Sequence, residues 1–122
     1  MLSGINVNPS QTLIDVTDDY YIEMRKPRLV LFFANGNSRY PGKLLSITPN
    51  RYFIFNELLD ELTKYFEKEI FSGVRKIYNK DGRQITDLND LEHDKFYICS
   101  SSIPFHPLNY EEKYYEFINK GK

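Results

Sequence analysis

The chain has 122 residues, 41% hydrophobic and 27% charged, with a net charge of −1, which describes one globular domain and excludes wholesale disorder or a pair of ordinary domains. Its longest apolar run, Leu29–Ala34, is six residues against the roughly 20 that a spanning helix needs. One cysteine, Cys99, and two histidines 13 residues apart, His93 and His106, leave neither a disulfide framework nor a metal site at any usual spacing.

In chain order, residues 1–24 carry four acids and no base and show no period, so they read as an N-terminal arm able to dock through Leu13, Ile14, Tyr20 and Tyr21. No basic-then-apolar segment opens the sequence, and a small soluble intracellular domain is expected. Residues 25–108 read as the domain. Arg28–Ala34 is β-branched and aromatic and runs into Asn35-Gly36, the commonest tight-turn signal between strands, with Gly42–Ile47 as the return strand. Phe55, Leu58, Leu59, Leu62 and Phe66 then form one continuous helical stripe with acids and lysines opposite, and Ser72-Gly73 is expected to end that helix. Gly73–Tyr78 predicts a third strand closed by Asp81-Gly82. Leu88 and Leu91 suggest a short helical turn, and Phe96–Ser100 a fourth strand. Strand, strand, helix, strand, strand is the order of an α+β, ubiquitin-like β-grasp roll. The stripe residues Phe55, Leu58, Leu62 and Phe66 are expected to face a sheet containing Leu31, Phe33, Ile77 and Ile98. Residues 109–122 predict a short terminal helix from Tyr110 to about Asn119, with Asn109 as its cap, Glu112 three residues on, and Gly121 after its end.

The charge is unevenly placed: residues 1–24 carry −4, residues 25–83 carry +6 and residues 84–122 carry −3. Arg25–Asn56 holds six bases and no acid. Such a segment either attracts an anionic partner or merely solubilises the surface. Catalytic chemistry is not visible: there is no phosphate-binding loop, dinucleotide fingerprint, nucleophile elbow or zincin helix. Asp87, Asp90, Glu92 and Asp94 do not fit a calcium-loop spacing and read as an exposed acidic loop. Cys99, inside a strand, reads as a small core residue without an activating neighbour. No catalytic residue, metal or cofactor is expected. The aromatics occupy core-facing positions, and the strand–helix order differs from that of an RNA-recognition sheet, so nucleic acid is not the expected partner. A membrane is not expected either.

The ordered set Asn35-Gly36, Arg39-Tyr40, Gly42, Pro49-Asn50-Arg51, Phe55 with Leu58-Leu59, Gly73-Val74-Arg75 with Ile77-Tyr78, Asp81-Gly82, Leu88 with Leu91, Tyr97-Ile98-Cys99, Pro104-Phe105 and Tyr110 resembles a doublecortin domain, over about Arg28 to Tyr110. Ala34 and Asn37 depart from the family's usual basic and acidic neighbours of Asn-Gly. Asp94 stands where a glycine usually precedes the last strand, and Asp tolerates the same backbone. The single domain, rich in Asn, Lys and Tyr, is also similar to apicomplexan members of the apical tubulin cytoskeleton.

The resemblance implies a non-enzymatic, cytoplasmic, cytoskeletal domain that binds and stabilises microtubules by docking a basic face on acidic tubulin between protofilaments. The family's basic positions fall on Arg28, Arg39, Arg51, Lys64 and Arg75. The charge pattern alone adds Lys43, Lys76, Lys80 and Arg83. For two of these an internal role is an alternative: Arg75 can pair with a helix acid, and Arg51 can brace its own loop. The alternative function is a ubiquitin-like interaction module acting in signalling or head-to-tail assembly without tubulin. In that reading the Arg28–Lys43 patch of one copy meets the Asp87–Asp94 loop of another, and self-association through that loop or the C-terminal helix is the corresponding expectation.

Overall fold

A run of apolar residues with no polar interruption needs cover on both sides, and β1 (Arg28–Ala34) has it, being buried from Val30 to Ala34. It lies inside a five-stranded sheet with β2 (Lys43–Ile47), β3 (Lys76–Tyr78), β4 (Gln84–Ile85) and β5 (Lys95–Ser100), in the order β2-β1-β5-β3-β4. β1 and β5 run parallel, and every other pairing is antiparallel. With α1 (Phe55–Tyr65) and α2 (Tyr110–Lys120), this is the expected ubiquitin-like α+β roll. The computed structural model describes residues 26–120 apart from Tyr40; the arm with Leu13, Ile14, Tyr20 and Tyr21, and the end signal at Gly121, lie outside the described residues.

α1 covers one face of the sheet, where Leu58, Leu62 and Phe66 meet Val30, Phe32, Leu45, Ile77, Tyr97 and Cys99. Glu57 fastens its start by accepting from the backbone N–H groups of Phe53 (2.6 Å) and Ile54 (3.2 Å), donors that a helix start otherwise leaves open. The sheet contains Leu31, Phe33, Ile77 and Ile98 as expected, but only Ile77 faces α1. Leu31, Phe33 and Ile98 lie on the opposite face with Tyr78 and Phe96, because side chains alternate along a strand. α1 also stops earlier than the Ser72-Gly73 signal suggests. Phe66 leaves helical geometry (φ −103°, ψ 21°), and its carbonyl accepts from Glu69 (3.0 Å) and Ile70 (2.7 Å), so the chain bends to bury Ile70. Gly73, at φ +88°, ends this second turn instead.

α2 covers the other face. Asn109 Oδ1 accepts from the Glu112 N–H at 3.2 Å, the expected cap. Tyr110, 2% exposed, stacks on Phe33 with ring centroids 6.1 Å apart. Its hydroxyl donates to the His106 carbonyl (2.7 Å) and accepts from Gly36 N–H (3.0 Å). Tyr114 packs on Phe96 and donates to the Asp94 carbonyl at 2.6 Å.

Smaller elements refine the reading. The third strand is shorter than predicted, and the two-residue β4 adds a fifth. The turn Leu88–Asp90 forms, capped by Asp87, and places Leu91 in the α1 core. Among the described residues Asp94 is the one non-glycine at positive φ, +59°, in keeping with a position that a glycine usually fills.

Candidate functional site

Because β1 and β5 are parallel, they finish at the same end of the roll, where β2 and β3 begin: Lys43 lies opposite Phe32, and Lys76 opposite Ser100. The last turns of α1 arrive there too. The Lys43 ammonium sits 4.2 Å from the centroid of the Tyr65 ring, and Thr63 Oγ1 accepts from the Val74 N–H at 3.0 Å. Five of the predicted bases, Arg39, Lys43, Lys64, Arg75 and Lys76, are therefore brought toward one end, with Lys64 also opening on a groove along α1 that it shares with Arg51, Glu57, Asp60 and Glu61. Segments 34–43, 64–76 and 99–104, which build it, hold six bases and two acids. Arg39, Lys64 and Arg75 are exposed. Neither Arg39 nor Arg75 takes part in the ion pairs of the described residues, Arg51–Glu61 at 2.7 Å and His93–Asp94 at 3.3 Å, so Arg75 has no helix acid as its partner.

The other four bases lie at the opposite end and are differently employed. Arg28 Nη1 donates to the carbonyls of Leu88 (3.0 Å) and Leu91 (2.7 Å), satisfying the tail of the short helical turn with a fixed cation. Arg51 binds Glu61 and lies over the Tyr52 ring, 5.6 Å from its centroid, which is the bracing role. Glu61 also accepts from the Tyr52 hydroxyl at 2.7 Å. Burial pushes the Glu61 carboxyl up, but hydrogen bonds from Arg51, Tyr52 and Tyr65 outweigh it and hold the group below its ordinary range. Burial, then the bond to Glu61, pushes the Tyr52 phenol well up. Lys80 opens on a groove of about 370 Å³ shared with Asp81, Asp90, Glu92, Asp94 and Glu111. Arg83 is exposed on the neighbouring β3–β4 turn, where its backbone N–H is held by Asn79 Oδ1 at 2.9 Å.

The sequence reading gave Asn35 a turn role only. Its side chain also clamps the exit from β5, accepting from His106 N–H (2.7 Å) and donating to the Pro104 carbonyl (2.9 Å) and Ser100 Oγ (3.1 Å). Nothing local signals this, since the partners lie about 70 residues away. The Cys99 thiol is fully buried, and burial pushes its pKa up, away from nucleophilic use. Among the described residues no group of His, Cys, Asp and Glu is placed to hold a metal ion, and no helix is long and apolar enough to cross a membrane. The arrangement is a charged surface on a rigid frame.

The family model described as Doublecortin matches residues 46–105. A serine/threonine-protein kinase of Drosophila yakuba is 38% identical over 78 residues, a match covering 62% of this chain and 10% of the kinase. The serine/threonine-protein kinase DCLK2 of Rattus norvegicus is 34% identical over 89 residues, covering 70% of this chain and 12% of the kinase. The chain thus aligns with about a tenth of the length of these relatives, and the kinase activity in their names is theirs. Both are animal proteins, and an apicomplexan placement finds no support in them.

Proposed function

We propose, from the premise that this chain carries a doublecortin domain, that it binds tubulin in the microtubule lattice, docking its basic end on the acidic outer surface between protofilaments and stabilising the polymer. The observation that carries the reading is the basic end itself: Arg39, Lys43, Lys64, Arg75 and Lys76 converge there, and among the described residues neither Arg39 nor Arg75 is neutralised by an ion pair. Lys80 opens on an acidic groove and Arg83 lies on the turn beside it, while Arg28 and Arg51 serve the fold. The action is binding without catalysis, in the cytoplasm and along microtubules.

Such a contact is electrostatic in its approach and geometric in its hold. It is strongest at low salt, because the Debye length shrinks from roughly 30 Å at 0.01 M to about 8 Å at physiological strength. Co-sedimentation with microtubules assembled from purified tubulin tests it. The wild-type chain pellets at low salt and is released as salt rises. Arg39→Glu with Arg75→Glu weakens pelleting more than about tenfold, since paired reversals turn attraction into repulsion. Lys80→Glu with Arg83→Glu changes it little. A wild-type chain that fails to pellet at any salt overturns the reading.

A second reading has one observation in its favour: the acidic groove around Asp90, Glu92 and Asp94 lies at the end opposite the basic one. A head-to-tail contact between copies would join the two ends and extend as a filament. Sedimentation of the protein alone across a concentration series separates this from tubulin binding.

A further inference from the structure

One aromatic side chain at the basic end is placed against the usual logic of burial. Phe71 is 99% exposed, while Ile70 before it and Val74 after it are buried in the α1 core. Exposed apolar residues scattered singly need no account, but this one is neither alone nor loosely held. The Gly73 N–H donates to the Ile70 carbonyl at 3.1 Å, closing a tight turn with Phe71 and Ser72 at its tip. Gly73 supplies the positive φ that the turn needs, and Val74 N–H is fixed on Thr63 Oγ1. Ile103, 56% exposed, faces the same shallow groove of about 270 Å³, together with Asn35, Glu69, Ser72 and Ser101. Its loop is held too, with Ser100 Oγ donating to the Ile103 carbonyl at 3.0 Å.

We propose that Phe71, with Ile103 beside it, is an apolar anchor within the basic end and seats in a pocket on the acidic tubulin surface. This rests on the tubulin reading above and assigns the part of that contact which charge does not provide. The occupant follows from the surroundings: the groove holds one charged residue, Glu69, but Arg75 and Lys76 lie beside it against Ser100, and segment 64–76 carries four bases to two acids, so a partner that accepts Phe71 must also accept a net positive rim. An aromatic anchor ringed by polar and charged residues is the arrangement in which a few side chains dominate binding. The hydrogen-bonded turn matters as well, because a side chain already held in position loses little freedom on docking. Rim charges mainly set the rate of encounter, whereas the anchor sets the lifetime of the complex.

The test is microtubule co-sedimentation of the full chain over a salt series, with Phe71→Ser, Phe71→Leu and Arg39→Glu/Arg75→Glu beside the wild type. Burial of one phenylalanine corresponds to roughly a 10- to 100-fold change in affinity. Phe71→Ser is expected to lose about that much with the salt dependence unchanged and the thermal midpoint intact, as the side chain supports nothing in the fold. Phe71→Leu recovers part of the loss. The paired charge reversal, by contrast, flattens the salt dependence. If the wild type pellets and Phe71→Ser pellets equally well, the anchor is refuted and the tubulin reading stands. If the wild type never pellets, the tubulin reading itself fails. If Phe71→Ser instead abolishes self-association in sedimentation of the protein alone and leaves pelleting unchanged, the anchor seats in a second copy of this chain and the assignment to tubulin is overturned.

Discussion

The two ends of the roll carry equal numbers of bases and use them in opposite ways. At the end where β1 and β5 finish, six bases meet two acids; segments 26–28, 48–57, 79–83 and 86–95, which form the other end, hold six bases and six acids. Two of the three arginines at the balanced end are engaged within the fold: Arg28 holds carbonyls 60 and 63 residues away in sequence, and Arg51 holds Glu61, while Arg83 is exposed. Arginines at the other end, Arg39 and Arg75, are left facing solvent. The contrast teaches that a basic residue in a family motif is a contact for a partner only after its internal obligations are known, and those are set by the fold.

The contrast breaks most visibly in binding. Arg39→Glu with Arg75→Glu should weaken microtubule co-sedimentation by more than about tenfold and leave the urea midpoint in place, because both side chains are exposed and neither takes part in an ion pair among the described residues. A large drop in stability would show that these arginines are structural after all. Arg28→Ala should do the reverse. Two partly buried carbonyls lose their charged donor, a loss of about 1–3 kcal/mol in urea unfolding, with affinity per folded molecule unchanged.

A smaller effect separates the ends by pH. Glu61 is held below its ordinary value in the folded chain, so the stabilisation is fully present above the unfolded carboxylate range and is lost as pH falls through the lowered folded value. The pair is partly exposed, with Arg51 at 42% and Glu61 at 25%, which limits the effect to less than about 1 kcal/mol. Glu61→Gln should flatten the acid limb of a stability–pH profile by that amount. Lys80→Glu with Arg83→Glu should do least of all, leaving both pelleting and stability near the wild-type values.

Much of the frame is legible in the sequence because local signals agree there. The α1 stripe has a clean period, the Asn109 cap and the tyrosines of α2 have fixed spacing, and Asp81-Gly82 turns where such pairs turn. The phase of β1 was not legible. Leu29 to Ala34 is apolar at every position, so alternation is invisible, and α2 takes Leu31 and Phe33 while α1 takes Val30 and Phe32. β4 is too short for any pattern, and the end of α1 is set by burial of Ile70 rather than by the glycine that follows. At the candidate site, nine bases are legible in the sequence, which suggests an internal role for Arg51 and Arg75 alone; Arg51 has one, on Glu61, and Arg28, for which the sequence suggests none, has one too. What separates Arg28 from Arg39 is a pair of carbonyls on a distant turn, and what marks Phe71 is its presentation on a closed turn beside a core residue.

The lone thiol offers a clock. Cys99 has no exposed surface and lies mid-sheet, between Ala34 of β1 and Ile77 of β3. A thiol reagent reaches its sulfur only when β5 parts from a neighbour and the core beneath it opens. Detachment of α2, which packs on the opposite face of the sheet, leaves that sulfur covered, so the slow labelling of this one atom times the opening of the α1 core. Any ligand that binds only the closed form slows the same clock in proportion to its occupancy, and the cysteine thereby reports binding without itself touching the partner.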